Sequence, residues 1–165
     1  MPNRNLPNPT ARVGLAADHG GFELKQELIR RLLDAGLVVA DFGNLLPDPG
    51  DDYPDYVIPL AHAVAAGKVD RGVAVCGSGV GATIAVNKVP GVRGCLVTDP
   101  FSARQGVEDD AMNVLCLGGR TVGPELAWEL VKIFLAAEVG DAERHLRRQG
   151  KVASLERQGV DPSSP

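Results

Sequence analysis

Along this chain, short runs of Val, Leu and Ala alternate with longer segments whose apolar residues return every three to four positions. RVGLAAD (12–18) reads as a strand and FELKQELIRRLLDA (22–35) as a helix. Phe22, Leu24, Leu28, Ile29, Leu32 and Leu33 form the helix's apolar stripe, and Gly36 stops it. LVVADFG (37–43) predicts a second strand. A Pro- and Asp-rich loop, NLLPDPGDDYPD, then leads to a helix at YVIPLAHAVAAG (56–67). The same alternation gives strand RGVAVCG (71–77) with helix VGATIAVNK (80–88), then strand VRGCLVTD (92–99) with a short helix from Phe101. NVLCLGG (113–119) is the fifth strand and GPELAWELVKIFLAAE (123–138) its helix.

Strands this apolar along their whole length have no polar side to give to water, so both faces must be covered. Five β-α units therefore predict an α/β fold: an open, doubly wound sheet of five parallel strands with helices on both faces. In such a sheet the crossovers are right-handed and ligands gather beyond the strands' carboxyl ends. That rule selects Asp18 and His19, Asp41, Cys76 to Gly81, Asp99, and Gly118 to Arg120.

Length and composition narrow the function classes. A chain of 165 residues suits one domain, here residues 11–140. A net charge of -4 argues against nucleic-acid binding. No apolar run approaches the ~20 residues of a membrane span. MPNRNLPNPT lacks the apolar core of a secretory signal and reads as a disordered arm over 1–10. The three cysteines cannot all pair and none has C-x-x-C spacing, which points to free thiols in a reducing, cytoplasmic setting.

The segment DAERHLRRQGKVASLERQ (141–158) departs from the rest. Five cations, Arg144, Arg147, Arg148, Lys151 and Arg157, outweigh three anions and give +2 on an acidic chain. A basic helix over 141–160 is either a solvated face or a phosphate clamp, since arginine forks match phosphate oxygens. Residues 161–165 read as a frayed tail.

The chemistry concentrates in VAVCGSGVGA (73–82). Gly77, Ser78, Gly79, Val80 and Gly81 join a buried strand to a helix start, where successive N–H groups can converge on an anion. G-S-G-V-G-A also satisfies the dinucleotide pattern G-x-G-x-x-A, with Asp99 as a ribose-binding acid, and a tight turn without ligand fits as well. Cys76 stands at the strand's carboxyl end facing a helix start, a setting that makes a thiol a usable base or nucleophile. Cys95 and Cys116 lie inside apolar strands and read as small buried hydrophobes. Asp18 and His19 are either a helix cap with a surface histidine or part of a binding site. His62, among alanines in mid-helix, reads as structural.

AADHGGFELK, DYPDY (52–56), VCGSGVGATIAVNKVPGVRG (75–94) and NVLCLGGR (113–120), in this order, resemble the ribose-5-phosphate isomerase B family. That family includes the galactose-6-phosphate isomerase subunits, and the likeness runs from about Val13 to Arg148. The resemblance implies a Rossmann-like domain with a C-terminal helical tail. It also implies an enzyme without metal or cofactor that interconverts aldose and ketose phosphates through a cis-enediolate, foremost ribose and ribulose 5-phosphate. The enzyme is expected to form a homodimer or homotetramer with sites at the dimer interface. Cys76 matches the base that moves a proton between C1 and C2, and Gly77 to Gly81 match the anion hole, with Ser78 where many relatives have threonine. Asp18, His19, Tyr53 and Asn113 fall among the substrate-binding residues. Arg144, His145 and Arg148 match a phosphate grip lent by the partner subunit, and Arg120 a further phosphate contact. Some branches carry a glutamate base a few residues after the cysteine; Ala82 stands there, which leaves Cys76 as the base.

One position departs from the family. Where ribose-5-phosphate isomerases carry a ring-opening histidine, FSARQGVEDDAMN (101–113) has Asp109. A carboxylate with an ordinary pKa of ~3.9 is a poor acid–base partner at neutral pH. A tetrulose 4-phosphate needs no ring opening, so it and a hexose 6-phosphate stand beside ribose 5-phosphate as alternatives. A non-catalytic protein that binds sugar phosphates or nucleotides is the alternative from another class.

Overall fold

The computed structural model describes residues 11–158; the arm expected over 1–10 and the frayed end at 161–165 lie outside the described residues. Five strands, β1 (Arg12–Ala17), β2 (Val38–Asp41), β3 (Arg71–Cys76), β4 (Gly94–Leu96) and β5 (Val114–Gly118), form one sheet. Every pairing is parallel, and the strand order is β2-β1-β3-β5-β4. Between them run α1 (Phe22–Asp34), α2 (Pro54–Ala65), α3 (Val80–Val86) and α4 (Pro100–Asp110), followed by α5 (Pro124–Ala136) and α6 (Glu143–Gln158). Every expected element is present, and the doubly wound α/β reading holds.

The sheet divides the interior into two apolar layers. On one side α1, α4 and α5 bury Leu28, Leu32, Val107, Leu130 and Phe134 against Leu15, Leu115 and Leu117. On the other side α2 and α3 bury Val57, Leu60, Ala61 and Val86 against Ala74 and Cys116. Truncating a fully buried leucine or phenylalanine in such layers costs about 2–5 kcal/mol through lost contact and the cavity left behind. No described helix is long and apolar enough to cross a membrane.

Three sequence expectations are corrected. The buried stripe of α1 is Leu24, Lys25, Leu28 and Leu32, whereas Leu33 points to solvent. Lys25 is fully buried because Asp41 and a backbone carbonyl neutralise its ammonium group. Cys95 is exposed, since β4 is a three-residue edge strand paired only with β5, while Cys116 in β5 is buried as expected. His62 lies on the exposed face of α2 rather than within its packing.

The direction of α4 sets the layout of the chemistry. It starts at Pro100, just past the carboxyl end of β4, and its ~16 Å length carries the chain back to the amino edge of the sheet. There Met112 N–H bonds Gly106 O, and α6 docks on the last turn of α4. Gln149 Nε2 donates to Asp109 O at 2.8 Å, and Glu156 accepts from Gly91 N–H at 3.0 Å.

Candidate active site

The three central strands end side by side, and their following turns interlock. Gly119 N–H donates to Cys76 O at 2.8 Å and Arg120 N–H to Gly77 O at 3.0 Å, joining the turns after β3 and β5. The turn after β1 closes against them: a side chain on Gly20 would stand 2.9 Å from Gly77 N. After β1 the chain leaves to β2 and returns across β1 to β3, so this is the crevice where winding reverses.

Cys76 lies buried at the floor of this crevice, and its Sγ accepts the Gly79 N–H at 3.1 Å. Gly79 has φ +82°, which bends the chain sharply ahead of α3. Any side chain there would lie 2.6 Å from Leu96 Cδ1 and 2.9 Å from the Leu117 carbonyl carbon. Ser78 Oγ accepts Val80 N–H at 3.3 Å. Among the described residues, the N–H groups of Gly77, Ser78 and Gly81 have no acceptor, so three donors remain on the turn.

Side chains from other elements frame the turn. Tyr53, the residue before α2, lays its ring over Gly81; a side chain on Gly81 would meet Tyr53 Oη at 3.0 Å. The Arg120 guanidinium lies over Gly77, 3.8 Å from where a Cβ would stand. Asp18 is buried, and its Oδ1 is sealed from solvent without a hydrogen-bond partner. Such an orphan acceptor costs about 1–3 kcal/mol.

His19 is held from two sides. Its backbone N–H and its ring Nδ1 both meet Asp51 Oδ1, at 2.9 and 2.7 Å. Asp51 Oδ2 accepts from Asn44 Nδ2 at 2.6 Å, and Asn44 O accepts from Lys25 Nζ at 2.8 Å. Lys25 Nζ also grips both carboxylate oxygens of Asp41, at 2.6 and 2.8 Å. Burial alone would raise the Asp51 carboxyl, but the hydrogen bonds from His19 and Asn44 outweigh it and hold the group below its ordinary range. Asp18, His19 and Asp51 offer one ligand atom each within 4.8 Å of one another, the one such set among the described residues.

The sequence-derived residues thus separate. Asp18, His19, Tyr53, Cys76, Gly77, Ser78, Gly79, Val80, Gly81 and Arg120 meet at the carboxyl edge. Asp109, Asn113, Arg144, His145 and Arg148 do not reach it within one subunit. Asn113, placed by sequence among the substrate contacts, begins β5 at the amino edge. Its side chain bonds Arg93 N–H and Gly91 O, fastening the loop before β4. Asp109, expected beside the sugar, pairs with His145 Nδ1 at 2.7 Å and with Gln105 Nε2 at 2.8 Å.

His145 is buried with both ring nitrogens in use, since Nε2 accepts Arg144 Nε–H at 2.7 Å. Those partners fix the Nδ1–H tautomer. The open groove of about 480 Å³ beside it is lined by Glu108, Asp109, Glu138 and Asp141, acids that repel phosphate. His145 therefore positions Arg144 and is not itself offered to a phosphate there. Arg144 and Arg148 are exposed on one side of α6, four residues apart. Asp99, the ribose-binding acid of the dinucleotide reading, is instead the N-cap of α4, where its carboxylate accepts Ser102 N–H at 2.8 Å. That backbone bond holds its carboxyl below the ordinary range.

Sequence reasoning missed Lys25, Asn44 and Asp51. A lysine inside the apolar stripe of α1, followed by an aspartate ending β2, is the signal that could have revealed the first.

Residues 13–152 match the model of the Ribose/Galactose Isomerase family. The chain is similar to the ribose-5-phosphate isomerase B of Clostridium thermocellum, with 41% identity, a TM-score of 0.86, and coverage of 89% of this chain and 98% of that one. It is 38% identical over 145 residues to ribose-5-phosphate isomerase B of Escherichia coli, covering 88% and 96% of the two chains. It is also 36% identical over 126 residues to D-erythrulose-4-phosphate isomerase of Pectobacterium atrosepticum, covering 76% and 83%.

Proposed function

Since the chain belongs to the Ribose/Galactose Isomerase family, we propose that it interconverts ribose 5-phosphate and ribulose 5-phosphate by proton transfer through a cis-enediolate. The observation that carries this reading is Cys76 itself, a buried sulfur directly before a turn with unused N–H donors. Proton abstraction beside a carbonyl needs a base at the carbon and donors at the oxygen that gains charge. Cys76 Sγ, as thiolate, takes the proton from C2 of the open aldose and returns it to C1. The N–H groups of Ser78 and Gly81 hold the enediolate oxygen. Asp18 lies beside the sugar, and Tyr53 closes the pocket wall.

The phosphate needs cations, and Arg120 stands at this edge beside Gly77. Arg144 and Arg148 of the partner subunit supply the rest in a homodimer whose two-fold axis brings each amino edge to the other's carboxyl edge. Remote phosphate binding then orients the reacting carbons. The free thiols of Cys76, Cys95 and Cys116 suit a cytoplasmic setting.

A second reading has its own support. Asp109 is spent on His145, so the position where the family keeps a ring opener offers no free acid or base. That favours an open-chain substrate such as a tetrulose 4-phosphate, the compound named for the Pectobacterium relative.

Solvent deuterium entry into a panel of C4 to C6 sugar phosphates tests the isomerase reading, with Cys76→Ala alongside. Exchange is expected to vanish in the variant while sugar-phosphate binding persists; undiminished exchange removes Cys76 from the mechanism.

A further inference from the structure

A glycine that carries a working hydrogen bond has to be held from outside, since no side chain of its own limits its rotation. Gly79 is such a residue. Its N–H meets Cys76 Sγ at 3.1 Å, and its carbonyl oxygen accepts both the N–H and the Oγ1–H of Thr83, at 3.0 and 2.8 Å. We propose that Thr83 is a positioning residue for Cys76, its hydroxyl clamping Gly79 so that the Gly79 N–H stays on the sulfur; this deepens the isomerase reading above and rests on it.

Three observations carry the proposal. First, Gly79 precedes α3 with φ +82°, and no side chain caps that helix start, so the grip of Thr83 from one turn on is what fixes Gly79. Second, the Thr83 hydroxyl is itself oriented. The Cys116 thiol, fully buried in β5, lies within hydrogen-bond reach of it, and burial pushes that thiol's pKa up to about 12. At neutral pH Cys116 is therefore an S–H donor, which leaves the Thr83 proton for Gly79 O. Third, Cys116 pairs with Ala74, two residues before Cys76 on the same face of the sheet. The chain Cys116–Thr83–Gly79–Cys76 thus ties the sulfur to an interior strand through the first turn of α3, a polar duty for Cys116 beyond filling the apolar layer. Threonine commonly bonds back one turn in a helix; here the carbonyl it grips belongs to the residue that donates to the base.

An N–H aimed at sulfur favours thiolate over thiol, so loosening it raises the pH at which the thiolate forms. The other titratable groups around the turn are Asp18 after β1, Tyr53 before α2 and Arg120 after β5. They are unchanged in every variant below, so a shift isolates the clamp.

Thr83→Val keeps the shape and removes the hydroxyl. Iodoacetamide alkylation of Cys76 is followed against pH, with peptide mass mapping to separate it from the exposed Cys95. Its midpoint is expected to rise by about half a unit or more in Thr83→Val. The acidic limb of kcat/KM for the sugar phosphate should move the same way, with kcat down about tenfold or more and KM within about threefold of the parent. Thr83→Ser, which keeps the hydroxyl, should match the parent, and Cys116→Ala should shift both profiles by less than Thr83→Val does. Profiles that stay put in Thr83→Val or in Cys116→Ala, or an equal shift in Thr83→Ser, overturn the proposal whatever the melting temperatures do. A parent enzyme that admits no deuterium into any sugar phosphate overturns the isomerase reading instead. The alkylation profiles need no substrate and still decide whether Thr83 holds the sulfur's donor in place.

Discussion

Asp109 Oδ1 and His145 Nδ1 lie 2.7 Å apart and tie the last turn of α4 to the first turn of α6. Because His145 Nε2 receives Arg144 Nε–H, this one carboxylate sets the aim of an arginine two links away. Asp109→Ala should therefore behave as a phosphate-binding defect. Leaving a buried hydrogen-bonding group unpaired costs about 1–3 kcal/mol. KM for the sugar phosphate is expected to rise roughly tenfold, more than kcat falls. Steady-state kinetics checks it; a fall in kcat alone would return Asp109 to the chemistry.

Lys25 is fully buried, and its partner Asp41 is only a quarter exposed. Removing one member of such a pair strands the other, at a cost of about 3–5 kcal/mol. Lys25→Met should lower the urea midpoint accordingly, and adding Asp41→Asn should recover part of the loss. The single variant should also slow ribose 5-phosphate turnover, since Asn44 loses its anchor.

Much of this was legible before any coordinates. Strands that are apolar throughout announce a sheet covered on both faces, and the carboxyl-end rule then selected Cys76, its turn, Asp18, His19 and Arg120. Strand order is not written in the local pattern, however, so the exposure of Cys95 on an edge strand was hidden. Hydropathy periodicity likewise ranks Lys25 as solvent-facing, because it cannot see that Asp41 ends the neighbouring strand. Asp51 lies in an aperiodic loop, where position follows from tertiary contacts alone. Asp109 and Asn113 sit close in sequence to the site's motifs, but α4 carries them to the opposite edge of the sheet.

The pH dependence of stability has an identifiable surface contributor. Hydrogen bonds from Arg30 and Arg31 pull the Glu27 carboxyl down to about 2. A carboxyl depressed in the folded state stabilises fully above its unfolded value and loses that contribution as pH falls through the folded one. The contribution is thus present above about pH 4.5 and is lost toward pH 2. Urea midpoints of the parent and Glu27→Gln should differ at pH 6, converge as the pH drops below 4, and differ less in high salt.

Gly79 combines a left-handed backbone with a wall of neighbours. Alanine there meets about 1–2 kcal/mol of backbone strain, besides the contacts with Leu96 and Leu117. Relief requires moving the turn, which displaces the N–H that meets Cys76 Sγ and the donors beside it. Misplacing one oxyanion donor typically costs ~10²–10³ in rate. Gly79→Ala should therefore lose kcat far out of proportion to its change in melting temperature.

The proposed division of the site between two edges makes the strongest demand. If Arg144 and Arg148 serve the Cys76 of the other subunit, a Cys76→Ala homodimer and an Arg144→Ala/Arg148→Ala homodimer are each inactive for different reasons. Subunits exchanged between them form heterodimers in which one site has lost both the cysteine and the arginines and the other has lost neither. Random exchange makes half the dimers mixed, each with one intact site, so about a quarter of parental activity should return on mixing. Native mass spectrometry of the mixture would count the heterodimers against the activity regained. Heterodimers that form without any recovery would place the arginines and the cysteine of each site on the same chain.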